Sequence, residues 1–192
     1  MTRRIAVVLL AAALAACGKT EPPPNPQAPK DAPAPASPAQ AYRDAARGAG
    51  ISVGQTMAKD VVYVFFDPQC PHCAAMWQAA QPILGEVRMV WIPVAFINSL
   101  SAPQGAALLG APDPAAAIDA HETKVNQGDY GAMPAKVPPE LLREVQSNTK
   151  LWTGIGADVV PYVLYEDAQT GKAGIISGQL PTAELKQRLG LP

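Results

Sequence analysis

The run DVVYVFF, residues 60–66, is apolar and β-branched or aromatic after its first residue, and Asp67-Pro68 stops it. Unbroken apolarity over so short a span predicts a buried strand. Residues 71–84 mix apolar and polar positions and predict a helix. Pro71 falls in its first turn, where a missing N–H costs nothing, and Pro82 kinks or ends it. VRMVWIPVAFI, residues 87–97, predicts a second strand, with Pro93 pointing to an edge or a bulge.

The pattern then changes. Residues 103–154 read as mostly helical, through DPAAAIDAHETKV and PPELLREVQSNTKLW, with Asp113-Pro114 and Pro138-Pro139 as helix starts. VVPYVLYED (159–167) and AGIISGQ (173–179) predict a hairpin around AQTGK. A last short helix starts near Pro181. Strand, helix, strand, helical block, hairpin and helix together predict an α/β sandwich with an inserted helical block.

The N-terminal part has a different texture. Arg3 and Arg4 precede a dozen apolar residues, Ile5–Ala16. A basic start and a short apolar run read as a secretory signal over residues 1–16. The run is too short for a bilayer span, which needs about 20 apolar residues. It ends in LAAC, which resembles a bacterial lipobox and implies cleavage before Cys17 and lipid on its sulfur. Gly18, being other than Asp, implies delivery to the outer membrane in lipoproteins of that kind. Residues 18–41 hold eight prolines and no apolar period, so residues 17–41 are expected to be a lipidated cysteine and a Pro/Ala-rich linker. At about 3.1 Å per residue that linker reaches at most about 75 Å. Residues 42–192 remain, enough for one domain with its own core.

Charge narrows the partners. The 192-residue chain has 15 basic and 16 acidic residues. Removing Arg3 and Arg4 with the signal leaves 13 basic against 16 acidic, a net charge of −3. No basic stripe favours nucleic acid.

The candidate chemistry is in DPQCPHCAAMW, residues 67–77. A structural zinc site needs four ligands. The chain offers Cys70 and Cys73, His72 between them and a distant His121. A two-thiolate copper(I) site is the best metal form, and no resident metal or cofactor is expected. A structural disulfide across two residues removes little chain entropy. The redox reading fits better. Export places the pair where disulfides persist. Cys70 opens a helix after a strand, where backbone N–H groups and the helix dipole favour a thiolate, the attacking species. His72 can add positive charge. A fall of the Cys70 pKa from about 8.5 to about 5 would stabilise the reduced form at pH 7 by about 2.7 kcal/mol. The potential would rise by about 60 mV.

The stretches VYVFFDPQCPHC, WIPVAFINSLSAPQGAALL, DPAAAID and VVPYVLYEDAQTGKAGIISG together resemble the thioredoxin superfamily, and more closely the periplasmic disulfide-bond proteins of the DsbC/DsbG type. The resemblance implies a thioredoxin-like fold with a helical insertion at about 103–154. It implies an exposed nucleophile at Cys70, a resolving thiol at Cys73, and a cis-proline dipeptide at Val160-Pro161 facing them. Pro71, His72, Val160 and Pro161 become the tuning or substrate-contacting residues. Three departures stand out. The DsbC/DsbG dimerisation domain has no counterpart in the signal, linker and lead-in, so a monomer is expected. Pro-His between the cysteines and Val160 before the proline resemble the oxidase DsbA. Val64 stands where thioredoxin and DsbA keep a buried acid, so proton handling must differ.

The expected function is thiol–disulfide exchange with cysteine-bearing exported proteins in the periplasm, from a lipid anchor. A membrane partner of the DsbD or DsbB type would recycle the pair, and the redox direction stays open. The alternatives are a copper(I) metallochaperone and a non-catalytic surface lipoprotein. Trp77, Trp91 and Trp152 read as core, Trp77 being the best of them for a groove. His121, beside Glu122 and Lys124, reads as part of a solvated helix face.

Overall fold

The computed structural model describes residues 36–58 and 61–192. The signal expected over residues 1–16, the expected lipid site Cys17, the expected linker up to residue 35 and Asp60 lie outside the described residues.

The first helix, α1 (Pro38–Ala45), starts inside the stretch read as linker. Ser37 caps it, its hydroxyl accepting the Gln40 N–H at 3.3 Å, and Pro38 occupies the first turn. Ala41 and Ala45, one turn apart, are fully buried. Two small residues make a weak apolar stripe, which is why a proline-rich sequence hides this helix.

Five strands form one mixed sheet in the order β1-β3-β2-β4-β5. They are β1 (Ile51–Gly54), β2 (Val61–Phe66), β3 (Arg88–Pro93), β4 (Tyr162–Glu166) and β5 (Ala173–Ser177). β2 and β3 run parallel, and the other pairs are antiparallel. β1 was not foreseen, because four residues with one alternation carry too little signal. β3 stops at Pro93, well short of residue 97. β1 pairs with it only as far as Trp91, so the proline lies beyond the cover of that strand.

β2 and its neighbours are buried on both faces. On one side Val64, Phe66, Met89, Trp91 and Val163 pack with α2 (Pro71–Ala80) and α6 (Thr182–Leu189). On the other, Phe65, Ile92 and Leu164 pack with α1 and α5 (Pro139–Gly154). Tyr162 and Tyr165 fall into opposite cores, as strand alternation requires. A short 3-10 turn, Gln81–Ile83, ends α2 at Pro82.

Between β3 and β4 lie α3 (Ser101–Leu109), α4 (Pro114–Asn126) and α5. Asp113 caps α4, accepting the Ala116 N–H at 3.0 Å. α4 packs on α2 and β1, α5 on β3 and α1, and α3 on both α4 and α5. Asn148 of α5 ties this block to the sheet, donating to the Ala49 and Pro93 carbonyls at 2.8 and 3.0 Å. The block thereby sets α4 beside the helix that carries the cysteines.

Candidate active site

Cys70 is the N-cap of α2, and Pro71 and His72 fill the first turn. Its Sγ accepts the Cys73 N–H at 3.3 Å and lies 3.7 Å from the Val160 carbonyl oxygen. Both cysteines are free thiols. The resemblance implied an exposed Cys70, yet only 3 % of it is exposed, against 0 % for Cys73. The Val160 carbonyl, on the segment that leads into β4, stands against the sulfur.

The two thiols have opposite electrostatics. The Cys73 thiol donating to Cys70 is the largest influence on Cys70; burial opposes it, and the Cys73 and His72 N–H groups and the His72 charge assist. The result lowers Cys70 to about 7. Cys73 is pushed well up, first by burial, then by the hydrogen bond to Cys70 and the Cys70 charge, with Glu122 adding to it. Near neutrality Cys70 is therefore the more readily ionised thiol, and Cys73 holds its proton.

A value of about 7 corrects the fall to about 5 supposed from the helix position. Half of Cys70 is then ionised at pH 7, which stabilises the reduced pair by only about 0.4 kcal/mol, or about 10 mV. His72 is part of the reason. Its ring is exposed and its Nδ1 pairs with Gln179 Oε1 at 3.1 Å, leaving its charge the smallest influence on Cys70.

Asp67 organises the loops around the pair. It is fully buried, and its carboxylate accepts the N–H groups of Gln69, Phe96 and Ile97 at 2.8, 2.7 and 2.9 Å. Gln69 donates to Gln104 Oε1 at 2.6 Å and to the Tyr130 carbonyl at 2.8 Å, and accepts from Asn98 at 3.1 Å. These bonds fix the ends of β2 and β3 and the inserted block around Cys70. The sequence reading did not single out Asp67 or Gln69.

α4 brings two groups that the sequence reading misplaced. His121 is not on a solvated face: it is half-buried, with Nε2 donating to the Pro68 carbonyl at 2.7 Å. Burial is the first cause that lowers its pKa. Glu122 is fully buried. A signal existed, because Ile118, Glu122 and Val125 form one buried stripe at helical spacing. A glutamate in such a stripe is a buried acid.

Trp77 is core rather than groove. It is 2 % exposed, stacks edge-on to Trp91 with centroids 5.0 Å apart, and donates to Asp119 at 2.9 Å. Among the described residues the large exposed apolar side chains are Met57, Phe96, Ile97, Tyr130, Met133 and Val159, of which Phe96, Ile97 and Val159 lie on the two loops beside the cysteines. Phe96 packs on Trp152, whose indole N–H donates to the Val159 carbonyl at 3.1 Å. Val160-Pro161 is a cis peptide.

A five-stranded mixed sheet, a cysteine pair opening the helix after β2 and a cis proline before β4 define a thioredoxin-like fold. The family model described as Thioredoxin matches residues 46–136. The chain is similar to the thiol:disulfide interchange protein DsbG of Pseudomonas aeruginosa, 33 % identical over 125 residues, 64 % of this chain and 48 % of that relative. It is also similar to DsbG of Escherichia coli, 31 % identical over 141 residues, 72 % and 51 % of the two chains. The chain thus spans about half the length of these curated relatives. Among solved structures, Proteus mirabilis ScsC in a transitional conformation superposes with a TM-score of 0.66 at 19 % identity, covering 81 % of this chain and 80 % of that chain. At that identity the likeness is one of fold.

Proposed function

We propose that this protein is a periplasmic thiol–disulfide oxidoreductase that exchanges disulfides with cysteine-bearing exported proteins through Cys70 and Cys73. The observation that carries the reading is the asymmetry of the pair. Cys70, at the helix N-terminus, is lowered to about 7, while buried Cys73 is pushed up beside it. One thiol is ready to attack and the other is held in reserve.

The Cys70 thiolate attacks a substrate disulfide, forms a mixed disulfide and releases one substrate thiolate. Cys73 then attacks Cys70 Sγ, closing the Cys70–Cys73 disulfide and freeing the second substrate sulfur. The sequence runs backwards when the protein donates its disulfide. Phe96, Ile97 and Val159 give an unfolded substrate chain apolar surface beside Cys70, and the Val160 backbone borders the sulfur. Pro71 sets the helix start, and Pro161 carries Val160 into β4. Cys17 is the lipid attachment point, holding the domain at the outer membrane, and a membrane protein of the DsbD or DsbB type recycles the pair.

The test is trapping in cells that express the full chain. Cys73→Ala should accumulate mixed disulfides through Cys70, and Cys70→Ala should accumulate none. Trapping through Cys73 instead would reverse the roles.

A further inference from the structure

Helix α4 carries a carboxyl that the exchange steps above leave unused. Glu122 is fully buried, and neither of its oxygens has a hydrogen-bond partner among the described residues. A buried carboxyl without a partner is costly when ionised. It therefore calls for an explanation.

The groups around it are few. α4 packs against α2, α3 and β1. α3 and β1 contain no charged residue. α2 brings Cys73 and His72, and His72 is turned to Gln179 at the surface. The loop before α2 brings Asp67 and Cys70. On α4 itself, Asp119 is bonded to Trp77, His121 to the Pro68 carbonyl, and Lys124 is exposed. Of the two buried acids beside the cysteines, Asp67 is fixed by three backbone N–H groups. Glu122 can gain or lose a proton without breaking a hydrogen bond.

We propose that Glu122 is the proton carrier for Cys73, taking the thiol proton when Cys73 attacks the mixed disulfide and returning it when Cys73 leaves. The inference rests on the exchange reading above. In the reduced protein, burial first, then the Cys70 and Asp67 charges, hold Glu122 well above the usual carboxylate range, so it keeps its proton. In the mixed disulfide the Cys70 charge is gone, and Glu122 ionises more readily. No hydrogen bond joins Glu122 to Cys73 in the reduced protein, so its carboxylate receives the Cys73 proton through a water between them as the Cys73 sulfur attacks. The Cys70–Cys73 bond forms, the bond from Cys70 to the substrate sulfur breaks, and the substrate leaves as a thiolate. The negative charge moves from Glu122 to the leaving sulfur, and the proton from Cys73 to Glu122. In reverse, a substrate thiolate opens the Cys70–Cys73 disulfide and Glu122 protonates the departing Cys73.

The experiment follows oxidation of the reduced full chain by oxidised glutathione, with acid quench and intact mass. Wild type and Glu122→Gln should be glutathionylated on Cys70 at similar rates. In the variant the mixed disulfide should persist about 100-fold longer near pH 6.5, with the gap closing as hydroxide takes over at higher pH. Equal lifetimes with equal pH profiles overturn the proposal. If Cys73→Ala captures no glutathione on Cys70, the exchange reading fails instead. A second measurement keeps Glu122 in place: its carboxyl is titrated by carbon NMR in reduced wild type and in Cys70→Ser. The midpoint should fall in Cys70→Ser, and an unchanged midpoint also overturns the proposal.

Discussion

The Trp77 indole N–H donates to Asp119 Oδ1 at 2.9 Å, bolting the cysteine-bearing helix α2 to α4 of the inserted block. The same ring packs on Trp91 in the core. The placement of Glu122 beside the cysteines depends on this junction, because Asp119 and Glu122 are one turn apart on α4.

Trp77→Phe should therefore cost about 2 kcal/mol, combining the lost hydrogen bond and the smaller ring. Asp119→Asn keeps an acceptor for the indole and should cost less than about 0.5 kcal/mol. Urea unfolding of both variants measures this. A Trp77→Phe loss below about 0.5 kcal/mol would mean that the pairing contributes nothing to stability.

The local parts of the site were legible in the sequence and the long-range parts were not. DVVYVFF, the Cys-Pro-His-Cys turn and Pro71 announce strand, cap and helix within a dozen residues, and the structure has them in that order. Val160-Pro161 came from resemblance and is a cis peptide. Asp67 was invisible because its partners, Phe96 and Ile97, lie about 30 residues on and are backbone groups. Glu122 was read with its polar neighbours His121 and Lys124, although Ile118 and Val125 mark its face as the buried one. Val64 raises the expectation of altered proton handling, but no local pattern says which other element could supply an acid.

Asp67→Asn tests the loop anchor. An amide offers one acceptor oxygen and a donor group, so at least one of the Gln69, Phe96 and Ile97 N–H groups must face another donor. The expected loss is about 3 kcal/mol. Amide exchange at Phe96 and Ile97 should accelerate more than at β4 residues. Unchanged exchange at those two positions would rule out the anchor role.

The Cys70 thiolate should appear with a midpoint of about 7, read by ultraviolet absorbance or alkylation rate against pH. His72→Ala should raise that midpoint by less than about half a unit, because the His72 charge is the weakest of the influences on Cys70. The potential should then change by less than about 15 mV. A wild-type midpoint near 5, with a large rise in the variant, would restore a strongly oxidising centre governed by His72.

Glu122 should leave a signature in stability as well as in kinetics. Its folded pKa is raised, first by burial, whereas in the unfolded chain a glutamate titrates near 4.3. Above about pH 4.3 the unfolded chain gives up this proton while the folded protein keeps it. Folding then binds a proton, so stability falls as pH rises through the window between the two values. The slope contributed by this one group approaches about 1.4 kcal/mol per pH unit. Below about pH 6 Cys70 is mostly thiol, so burial, the largest cause, acts there without the Cys70 charge. Urea midpoints of reduced wild type and Glu122→Gln, measured from about pH 4.5 to pH 6, should diverge steadily, the variant gaining relative to wild type as pH rises. Parallel curves would mean that Glu122 ionises as easily in the folded protein as in the unfolded chain, and its burial would then carry no consequence for the proton of Cys73.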